Sequence, residues 1–150
     1  MPTITTRRAT FADLEAIVPL FDAYRGFYGQ PSDPARARDW LRERMQRDES
    51  VVLIAEREGA VVAFTQLYPM YSSVRTARTW ILNDLFVAEA ARRSGAARAL
   101  LDAAAEFARE QGAGGVSLET TRDNAAARAL YRKAGWNEDA TQWYSHTLAR

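Results

Sequence analysis

At 150 residues the chain has the length of one domain, and its composition, 47% hydrophobic and 26% charged, is typical of a folded globular protein. Twenty basic residues against nineteen acidic ones leave a formal charge of +1, which provides no overall field to attract nucleic acid or an anionic membrane. The absence of cysteine and the single histidine, His146, argue against disulfides, zinc sites and a Ser/His/Asp triad. We recognise neither a signal peptide nor an apolar run of membrane-spanning length, and we expect a cytoplasmic protein without a metal.

The first part of the chain predicts a strand followed by two helices. Ile4–Arg8 alternates weakly as a strand, and Thr10 is placed as the N-cap of helix one. Asp33 and Pro34 open helix two. The residues predicted to face inward are Leu14, Ile17, Val18 and Phe21 of helix one and Ala37, Trp40, Leu41 and Met45 of helix two.

Residues 24–31, between the two helices, combine glycines and a proline with three aromatic side chains. This composition favours a loop, and loops of this kind often line a site. The alternative is that the aromatic side chains cap the core. The arginines of helix two are offset by Asp39 and Glu43, which favours a solvated helix face over a nucleic-acid surface.

The middle of the chain predicts a hairpin and a central strand. Residues 51–56 and 60–67 are β-branched or aromatic runs joined by Arg57-Glu58-Gly59, and the second run is predicted to end at Tyr68-Pro69. Residues 72–78 are polar and predict a turn. The central strand is predicted at about residues 79–87.

The last third predicts two helices and two strands. A helix ending near Gly112 carries an apolar stripe, and residues 116–120 form the next strand. Asn124 caps a short helix that Gly135 ends, and residues 142–148 are predicted as the closing strand. The stripe consists of Ala96, Ala99, Leu100, Ala103 and Phe107. We therefore expect one α/β or α+β domain with a mixed sheet.

A basic, glycine-containing loop joins the central strand to the following helix, where free backbone N–H groups and positive charge suit a phosphate. Gly95 allows the backbone to turn and to approach a ligand closely. A Rossmann site would need Gly-x-Gly-x-x-Gly and a P-loop Gly-Lys-Ser or Gly-Lys-Thr, and this loop has neither. Its residues are Arg92, Arg93, Ser94, Gly95, Ala96 and Ala97.

The spacing Arg92-x-x-Gly95-x-Ala97 resembles the acetyl-coenzyme A signature of the GCN5-related N-acetyltransferases, the GNAT family. Residues 124–136, which include Leu130-Tyr131 and Gly135-Trp136, look like the second signature of that family. The two signatures occur in the family's order, and the resemblance covers essentially residues 1–150. It implies a single acetyltransferase domain with a mostly antiparallel sheet, splayed parallel fourth and fifth strands, and flanking helices.

The resemblance implies acetyl-CoA as co-substrate, with its pantetheine arm between the fourth and fifth strands. The backbone of Leu85, Phe86 and Val87 would then pair with the pantetheine amides and hold the acetyl carbonyl. The loop of residues 92–97 would receive the pyrophosphate through its N–H groups. Asn124 matches a family position that caps the last helix and touches the cofactor arm, and capping alone would also explain it.

Tyr131 matches the family tyrosine that points at the cofactor sulfur, where a phenol can return a proton to the leaving thiolate. A buried core tyrosine is the alternative. Direct attack also needs a proton acceptor, because an alkylamine is mostly protonated at pH 7. Asp84 and Glu119 lie on the two flanking strands, and Asp84 is the candidate base unless its role is only structural. Strand alternation puts Asp84 and Phe86 on one face of the sheet and the residues next to them in sequence on the other face. Only one of these two sets of side chains can face the acceptor, unless a bulge interrupts the alternation.

The resemblance places the acceptor between the loop after helix one and the end of the third strand, and a small primary amine or an amino acid is favoured over a histone tail. The alternatives are a CoA-binding regulatory module without turnover and a histone-like lysine acetyltransferase. We expect a homodimer, because the closing segment carries Trp136, Trp143 and Tyr144. The candidate acceptor residues are Tyr24, Arg25, Tyr28, Tyr68 and Glu119.

Overall fold

A computed structural model describes residues 2–150, which divide after Glu119 into two compact units. The second unit contains one helix, α4 (Ala125–Lys133). Short 3-10 turns at Phe11–Asp13 and Glu89–Ala91 precede α1 and α3. In chain order the first unit contains β1 (Ile4–Arg8), α1 (Leu14–Phe27), α2 (Pro34–Gln46), β2 (Val51–Arg57), β3 (Ala60–Ser72), β4 (Ala77–Val87), α3 (Ala96–Glu110) and β5 (Val116–Ser117).

The sheet has the order β1-β2-β3-β4-β5, with antiparallel pairs throughout except for the parallel pair of β4 and β5. That pair is short, because only Trp80 and Ile81 of β4 are in register with Val116 and Ser117. The predicted strand at residues 116–120 is therefore shortened to two residues. β4 itself continues to Val87, so the parallel pairing ends well before β4 does. The predicted fold class, a mixed sheet with flanking helices, is confirmed.

Helices cover both faces of this sheet. The apolar sides of α1 and α2 form a core with Val52, Ile54 and Phe64 on one face. On the other face α3 buries small and medium side chains, which allows the helix axis to lie close to the strands. The buried residues of α3 are Ala96, Leu100, Leu101, Ala104 and Ala108. The other members of the predicted stripe, Ala99, Ala103 and Phe107, are half-buried.

The signals that begin and end the helices act as predicted. The side chain of Asp33 accepts a hydrogen bond from the N–H of Arg36 at 3.1 Å, directly before Pro34 at the start of α2. Gly112 and Gly135 follow α3 and α4 with φ of +69° and +89°, the left-handed conformation that favours glycine after a helix. No helix within residues 2–150 is both long and apolar enough to cross a membrane.

Some predicted boundaries were wrong. α1 continues through Gly26 to Phe27, so Tyr24 and Arg25 lie on its last turn and not in a loop. β3 continues through Pro69 to Ser72. Beyond Leu67 the register of β3 with β2 has ended, and a proline without an N–H is tolerated on a strand with one neighbour.

Two further predictions were also wrong. Trp40 was predicted to face inward, yet 46% of it is exposed. Residues 142–148 were predicted as a closing strand, yet residues 137–150 contain neither helix nor strand. Segments with strand-forming residues adopt strand geometry only when another strand pairs with them, and a single sequence does not reveal the partner.

Candidate active site

An irregularity in the middle of β4 determines which side chains reach each face of the sheet. Gln66 of β3 is in register with Asp84, whereas the next residue, Leu67, is in register with Leu82. Asn83 is therefore an extra residue, and β4 has a β-bulge at this point. Regular alternation along β4 does not hold across it.

The bulge moves the even-numbered side chains of β4 from one face of the sheet to the other. Before it, the ring of Trp80 lies on the α3 side, with its centroid 5.2 Å from that of Phe107. After it, Phe86 packs against the core that α1 and α2 form. Asp84 is two residues from Phe86 and so shares its face. The candidate base is thus directed to the side of the sheet covered by α1 and α2.

Tyr24 joins the last turn of α1 to the bulge. Its hydroxyl donates a hydrogen bond to the backbone oxygen of Asn83 at 3.0 Å. Its ring also contacts those of Phe86 and Tyr28, with centroids 6.4 and 5.2 Å away. A carbonyl that is displaced from the regular ladder by a bulge needs another donor, and Tyr24 provides it.

The carboxylate of Asp84 is almost completely buried, with 2% of the residue exposed. Its Oδ2 accepts from Nε2 of Gln66 at 2.6 Å, and its Oδ1 accepts from Nδ2 of Asn83 at 2.7 Å. The carbonyl oxygen of the Gln66 side chain accepts in turn from Oγ of Ser50 at 2.8 Å. Burial raises the pKa of the Asp84 carboxyl above its ordinary value, although the hydrogen bonds from Asn83 and Gln66 act against this.

Tyr68 lies within reach of the charge of this carboxylate, and Trp40 contacts Tyr68. The indole N–H of Trp40 donates to the hydroxyl of Tyr68 at 3.3 Å, and the guanidinium of Arg44 lies 4.1 Å from the centre of the Trp40 ring. Burial, together with the negative charge of Asp84, raises the pKa of Tyr68. Tyr68 is therefore a neutral hydroxyl at physiological pH, and the partly exposed Trp40 holds it in place.

The far half of β4 presents one backbone edge to a neighbour and leaves the other open. The N–H of Ala88 donates to the carbonyl of Val62 beside β3 at 2.8 Å. Because the backbone direction alternates along a strand, Phe86 also turns its N–H toward β3, and Leu85 and Val87 turn theirs toward the opposite edge. Within residues 2–150 no strand is in register with β4 on that edge beyond Ile81.

The open edge of β4 leads directly into the start of α3. Gly95 is the N-cap residue, with φ of +88°. As a glycine it has no side chain that could cap the helix. The first bond within the helix runs from the N–H of Ala99 to the oxygen of Gly95 at 2.9 Å, so the N–H groups of Ala96 and Ala97 precede the ladder. The hydroxyl oxygen of Ser94 is buried without a hydrogen-bond partner.

Positive charge accompanies these donors. Nε of Arg92 donates to the carbonyl of Val87 at 3.4 Å, and its guanidinium lies 5.7 Å from the centre of the Phe86 ring. Arg93 has φ of +63°, a left-handed conformation that is unusual for a residue with a side chain. Uncapped N–H groups, two arginines and an unpaired hydroxyl are chemically suited to a phosphate group.

A groove of about 430 Å³ lies between the end of α1 and the end of β4. Most of its wall is apolar, with one acidic and one basic side chain at the end near α3. It is lined by Leu20, Ala23, Phe27, Phe86, Ala88, Glu89 and Arg92. The groove therefore joins the candidate base side of β4 to the loop that suits a phosphate.

The remaining predicted acceptor residues differ in their surroundings. Arg25 is half-buried, and its Nη1 is buried without a hydrogen-bond partner. Tyr28 is 66% exposed and follows the last residue of α1. Glu119 is exposed and lies two residues beyond β5. The side-chain hydrogen bonds to Asp84 come from Asn83 and Gln66, and not from Glu119.

The second unit contains the other predicted residues. The side-chain oxygen of Asn124 accepts from the N–H of Ala127 at 3.2 Å, which confirms it as the cap of α4. Tyr131 lies within α4 and is half-buried. Its backbone oxygen accepts from the N–H of Trp136 at 2.9 Å, which closes the helix at Gly135.

The sequence matches the model of the Acetyltransferase (GNAT) family over residues 14–136. The chain belongs to the GNAT family. Uncharacterized N-acetyltransferase YhfO of Bacillus subtilis (strain 168) is 48% identical over 133 residues, which cover 89% of both proteins. Membership confirms the resemblance seen in the two signatures and makes the protein an acyltransferase.

Solved structures agree with this assignment. The crystal structure of a probable acetyltransferase has a TM-score of 0.91 at 39% identity and covers 97% of this chain and 99% of its own. An aminoglycoside N-acetyltransferase in complex with CoA has a TM-score of 0.81 at 18% identity, covering 99% and 97% of the two chains. The second likeness establishes the GNAT fold alone.

Sequence reasoning missed three residues of this candidate site. Ser50, Gln66 and Trp40 contact Asp84 or Tyr68 directly or through one neighbour. Gln66 interrupts an otherwise apolar strand pattern, and this is a signal that could have been noticed. Among the described residues, no group of three or more histidine, cysteine, aspartate or glutamate side chains could hold a metal ion.

Proposed function

We propose that this GNAT acyltransferase moves an acetyl group from acetyl-CoA to the primary amine of a small molecule or amino acid. The reaction is direct attack within a ternary complex. The observation that carries the proposal is the continuity between the open edge of β4 and the uncapped start of α3, which offers backbone groups first and phosphate-binding donors next.

The residues that line this path suit the two chemically different parts of a coenzyme A molecule. The outward backbone groups of Leu85 and Val87 would pair with amides of the pantetheine arm, as an added strand would. The backbone of Phe86 is directed to β3, so Phe86 would contact the pantetheine arm only through its ring. The N–H groups of residues 95–97 and the side chains of Arg92 and Arg93 would hold the pyrophosphate, with the hydroxyl of Ser94 as a further donor.

Asp84 would accept the proton that the ammonium form of the acceptor must lose. Acetyl-CoA supplies a thioester carbonyl for attack and a thiolate as leaving group. A carboxylate whose pKa is raised by burial is a stronger base than an exposed one, which supports this role. Outward N–H groups of β4 would stabilise the negative charge on the carbonyl oxygen. Carried over from the family resemblance, Tyr131 would donate a proton to sulfur as the C–S bond breaks and the C–N bond forms. The nitrogen that becomes the amide would release one more proton, which restores the Tyr131 hydroxyl.

The acceptor would be walled by the aromatic side chains at the end of α1 and by Tyr68. Tyr24 lies at the bulge beside Asp84, and Tyr68 feels the charge of Asp84. Arg25 offers an unpaired guanidinium nitrogen, which would suit the carboxylate of an amino acid. Tyr28 and Glu119 would lie at the outer edge of the acceptor-binding site, because both residues are exposed.

The direct test follows thiol release from acetyl-CoA in the presence of a panel of amines, amino acids and lysine peptides. We expect release with at least one small primary amine and not with the peptides. Release only with peptides would favour the histone-like alternative. Silence across the panel, with calorimetry still detecting binding of acetyl-CoA, would favour the CoA-binding module without turnover.

A further inference from the structure

A buried line of hydrogen bonds connects Asp84 with two residues that the proposed mechanism does not use. Oγ of Ser50 donates to Oε1 of Gln66 at 2.8 Å, and Nε2 of Gln66 donates to Oδ2 of Asp84 at 2.6 Å. The exposed fractions of Ser50, Gln66 and Asp84 are 5%, 0% and 2%. Burying three polar side chains within a sheet is unfavourable unless each finds a partner, so their alignment is a specific feature of this site.

We propose that Gln66 and Ser50 are positioning residues for the Asp84 carboxylate. Ser50 sets the orientation of the Gln66 amide, and the amide in that orientation holds one carboxylate oxygen in place. The inference rests on the proposed function, in which Asp84 takes the proton of the acceptor amine.

The argument starts from the two unlike ends of an amide. One end of the Gln66 side chain can only accept and the other can only donate. An ionised carboxylate can only accept, so Gln66 must turn its NH2 group toward Asp84. Its oxygen then points at Ser50, whose hydroxyl meets it with a donor at 2.8 Å. Without this hydroxyl the oxygen would be buried and unpaired, and the reversed amide would set its oxygen against the carboxylate.

The second step concerns the state of the carboxylate. Burial favours the protonated acid, which cannot act as a base. The hydrogen bonds from Asn83 and Gln66 oppose this effect, because they favour the ionised form. Asn83 is exposed and lies on the bulge, whereas Gln66 is fully enclosed. Gln66 is therefore the donor whose position the core maintains.

Other charged and titratable groups lie around Asp84, and none interferes with the test. Tyr68 on β3 feels its charge, and Tyr24 on α1 binds the neighbouring carbonyl of Asn83. Arg25 lies next to Tyr24 on α1, and Arg44 on α2 acts on Tyr68. None of these four neighbours is a carboxyl or a histidine, and the Asp84 signal is identified through Asp84→Asn, so a transition of that signal between pH 3 and 8 reports Asp84 itself.

The test measures the carboxyl of Asp84 directly. Protein labelled with carbon-13 at aspartate carboxyls is titrated by NMR, and the Asp84 signal is assigned as the one missing in Asp84→Asn. We expect Gln66→Met, which keeps the volume but has no donor, to raise the pKa of Asp84 by about 1 unit. Ser50→Ala should raise it by about half a unit, and Ser50→Thr should restore the wild-type value.

Thr65 provides a matched control. It is as buried as Gln66 and lies next to it on β3, and its hydroxyl donates at 2.7 Å to the backbone oxygen of Asp84 and not to its carboxylate. Thr65→Val removes an equally enclosed polar group from the same strand. We expect it to lower stability while the pKa of the Asp84 carboxyl stays within about 0.2 units of wild type.

The same variants are then followed through the pH dependence of kcat/KM. The acidic limb of this pH profile should move to higher pH by the same number of pH units as the NMR transition. An NMR transition that does not move in Gln66→Met and Ser50→Ala would overturn the positioning role, even if acetyl transfer is active. If the wild type shows no transfer at all, the proposed function fails, and the carboxyl titration still tests the two residues. Should Gln66→Met not fold, Ser50→Ala, which removes a single oxygen, decides the question.

Discussion

At the scale of single residues, the candidate site is defined by a carboxylate that is buried, where an ionised group is energetically unfavourable. Asp84 is 2% exposed and faces the core beneath α1 and α2. Two side chains, those of Gln66 and Asn83, donate to its carboxylate, and Ser50 donates to Gln66. Enclosure of this kind persists mainly where chemistry depends on it. The predictions at this scale concern the two groups proposed to move protons.

Replacement of Asp84 by asparagine should remove the base with little change in shape. We expect kcat/KM at pH 7 to fall by about 100-fold or more, with affinity for acetyl-CoA within about threefold of wild type. In the wild type, activity should decline with falling pH earlier than it would for an exposed carboxylate, because burial raises the pKa of Asp84. Steady-state kinetics from pH 5 to 9 measure both effects. Full activity in Asp84→Asn would exclude Asp84 as the base.

Replacement of Tyr131 by phenylalanine should slow turnover while cofactor affinity is retained. Loss of a proton donor at the leaving sulfur should reduce kcat by about 10- to 100-fold. Tyr144→Phe is the matched control, because Tyr144 is 91% exposed and has no proposed part in acetyl transfer or cofactor binding. Thiol-release kinetics and calorimetry with acetyl-CoA measure the two quantities, and an unchanged kcat in Tyr131→Phe would remove Tyr131 from the mechanism.

At the scale of elements, much of the architecture could be predicted from the sequence. Helical spacing identified the buried sides of α1 and α2 except at Trp40, and glycines and asparagines marked helix ends because their backbone preferences are local. The bulge at Asn83 could not be predicted, because a strand with one extra residue keeps the same composition and only the register reveals it. The side chains that hold Asp84 depend on that register.

The conformation of the turn before α3 leads to a prediction about stability and cofactor binding. Gly95 has φ of +88° and an added Cβ would meet nothing within 4 Å, so Gly95→Ala isolates backbone strain from crowding. We expect a loss of about 1 kcal/mol in the free energy of unfolding, together with weaker binding of acetyl-CoA. Urea unfolding and calorimetry measure these changes.

Gly26 offers the opposite case on α1. An added Cβ there also meets nothing within 4 Å, and its backbone is helical without a positive φ. Gly26→Ala should therefore stabilise the protein by about 0.5–1 kcal/mol. Equal effects of the two substitutions would contradict the assignment of strain to Gly95.

At the scale of the whole molecule, the first unit was easier to predict than the second. Its strands β2, β3 and β4 are rich in strand-forming residues, and each pairs with the strand next to it in the sequence. The aromatic pattern of residues 142–148 indicated a strand, and the structure has none there. The pattern of the second unit correctly predicted α4, whose cap and C-terminal glycine are local features.

An ion-pair cluster near the N-terminus should make stability depend on acid pH. The guanidinium of Arg7 holds the pKa of Asp13 at about 2, below its ordinary value of 3.8, and Asp13 also accepts from the N–H of Thr10 at 2.8 Å. A lowered pKa means that the stabilisation is complete above pH 4 and is lost as the pH falls toward 2. Asp13→Asn should cost about 1 kcal/mol at pH 7, and the difference should vanish near pH 2.

Urea unfolding at pH 7, 4 and 2.5 measures this difference. Asp39→Asn is the control, because Asp39 has a side chain that is 76% exposed and pairs with Arg42 at 3.4 Å, a surface contact that contributes little. A destabilisation in Asp13→Asn that is the same at all three pH values would contradict an ionic origin.

Two molecules are expected to associate through the closing segment. We propose a homodimer because Trp143 and Tyr144 are two adjacent aromatic side chains that are 77% and 91% exposed. Light scattering after gel filtration should give twice the chain mass of 16.8 kDa. The double substitution Trp143→Ser and Tyr144→Ser should halve that mass, and a wild-type monomer would exclude the proposal.

The extra residue in β4 also has a consequence for how such chains diversify. Loss of one codon at Asn83 would restore an unbroken pleat, and the strand would then have to misplace either Trp80 and Leu82 or Asp84 and Phe86. Insertions and deletions at this point therefore exchange whole sets of side chains, whereas substitutions exchange one. Sequence alignments of relatives that slide a gap by one position here would compare residues from opposite faces of the sheet.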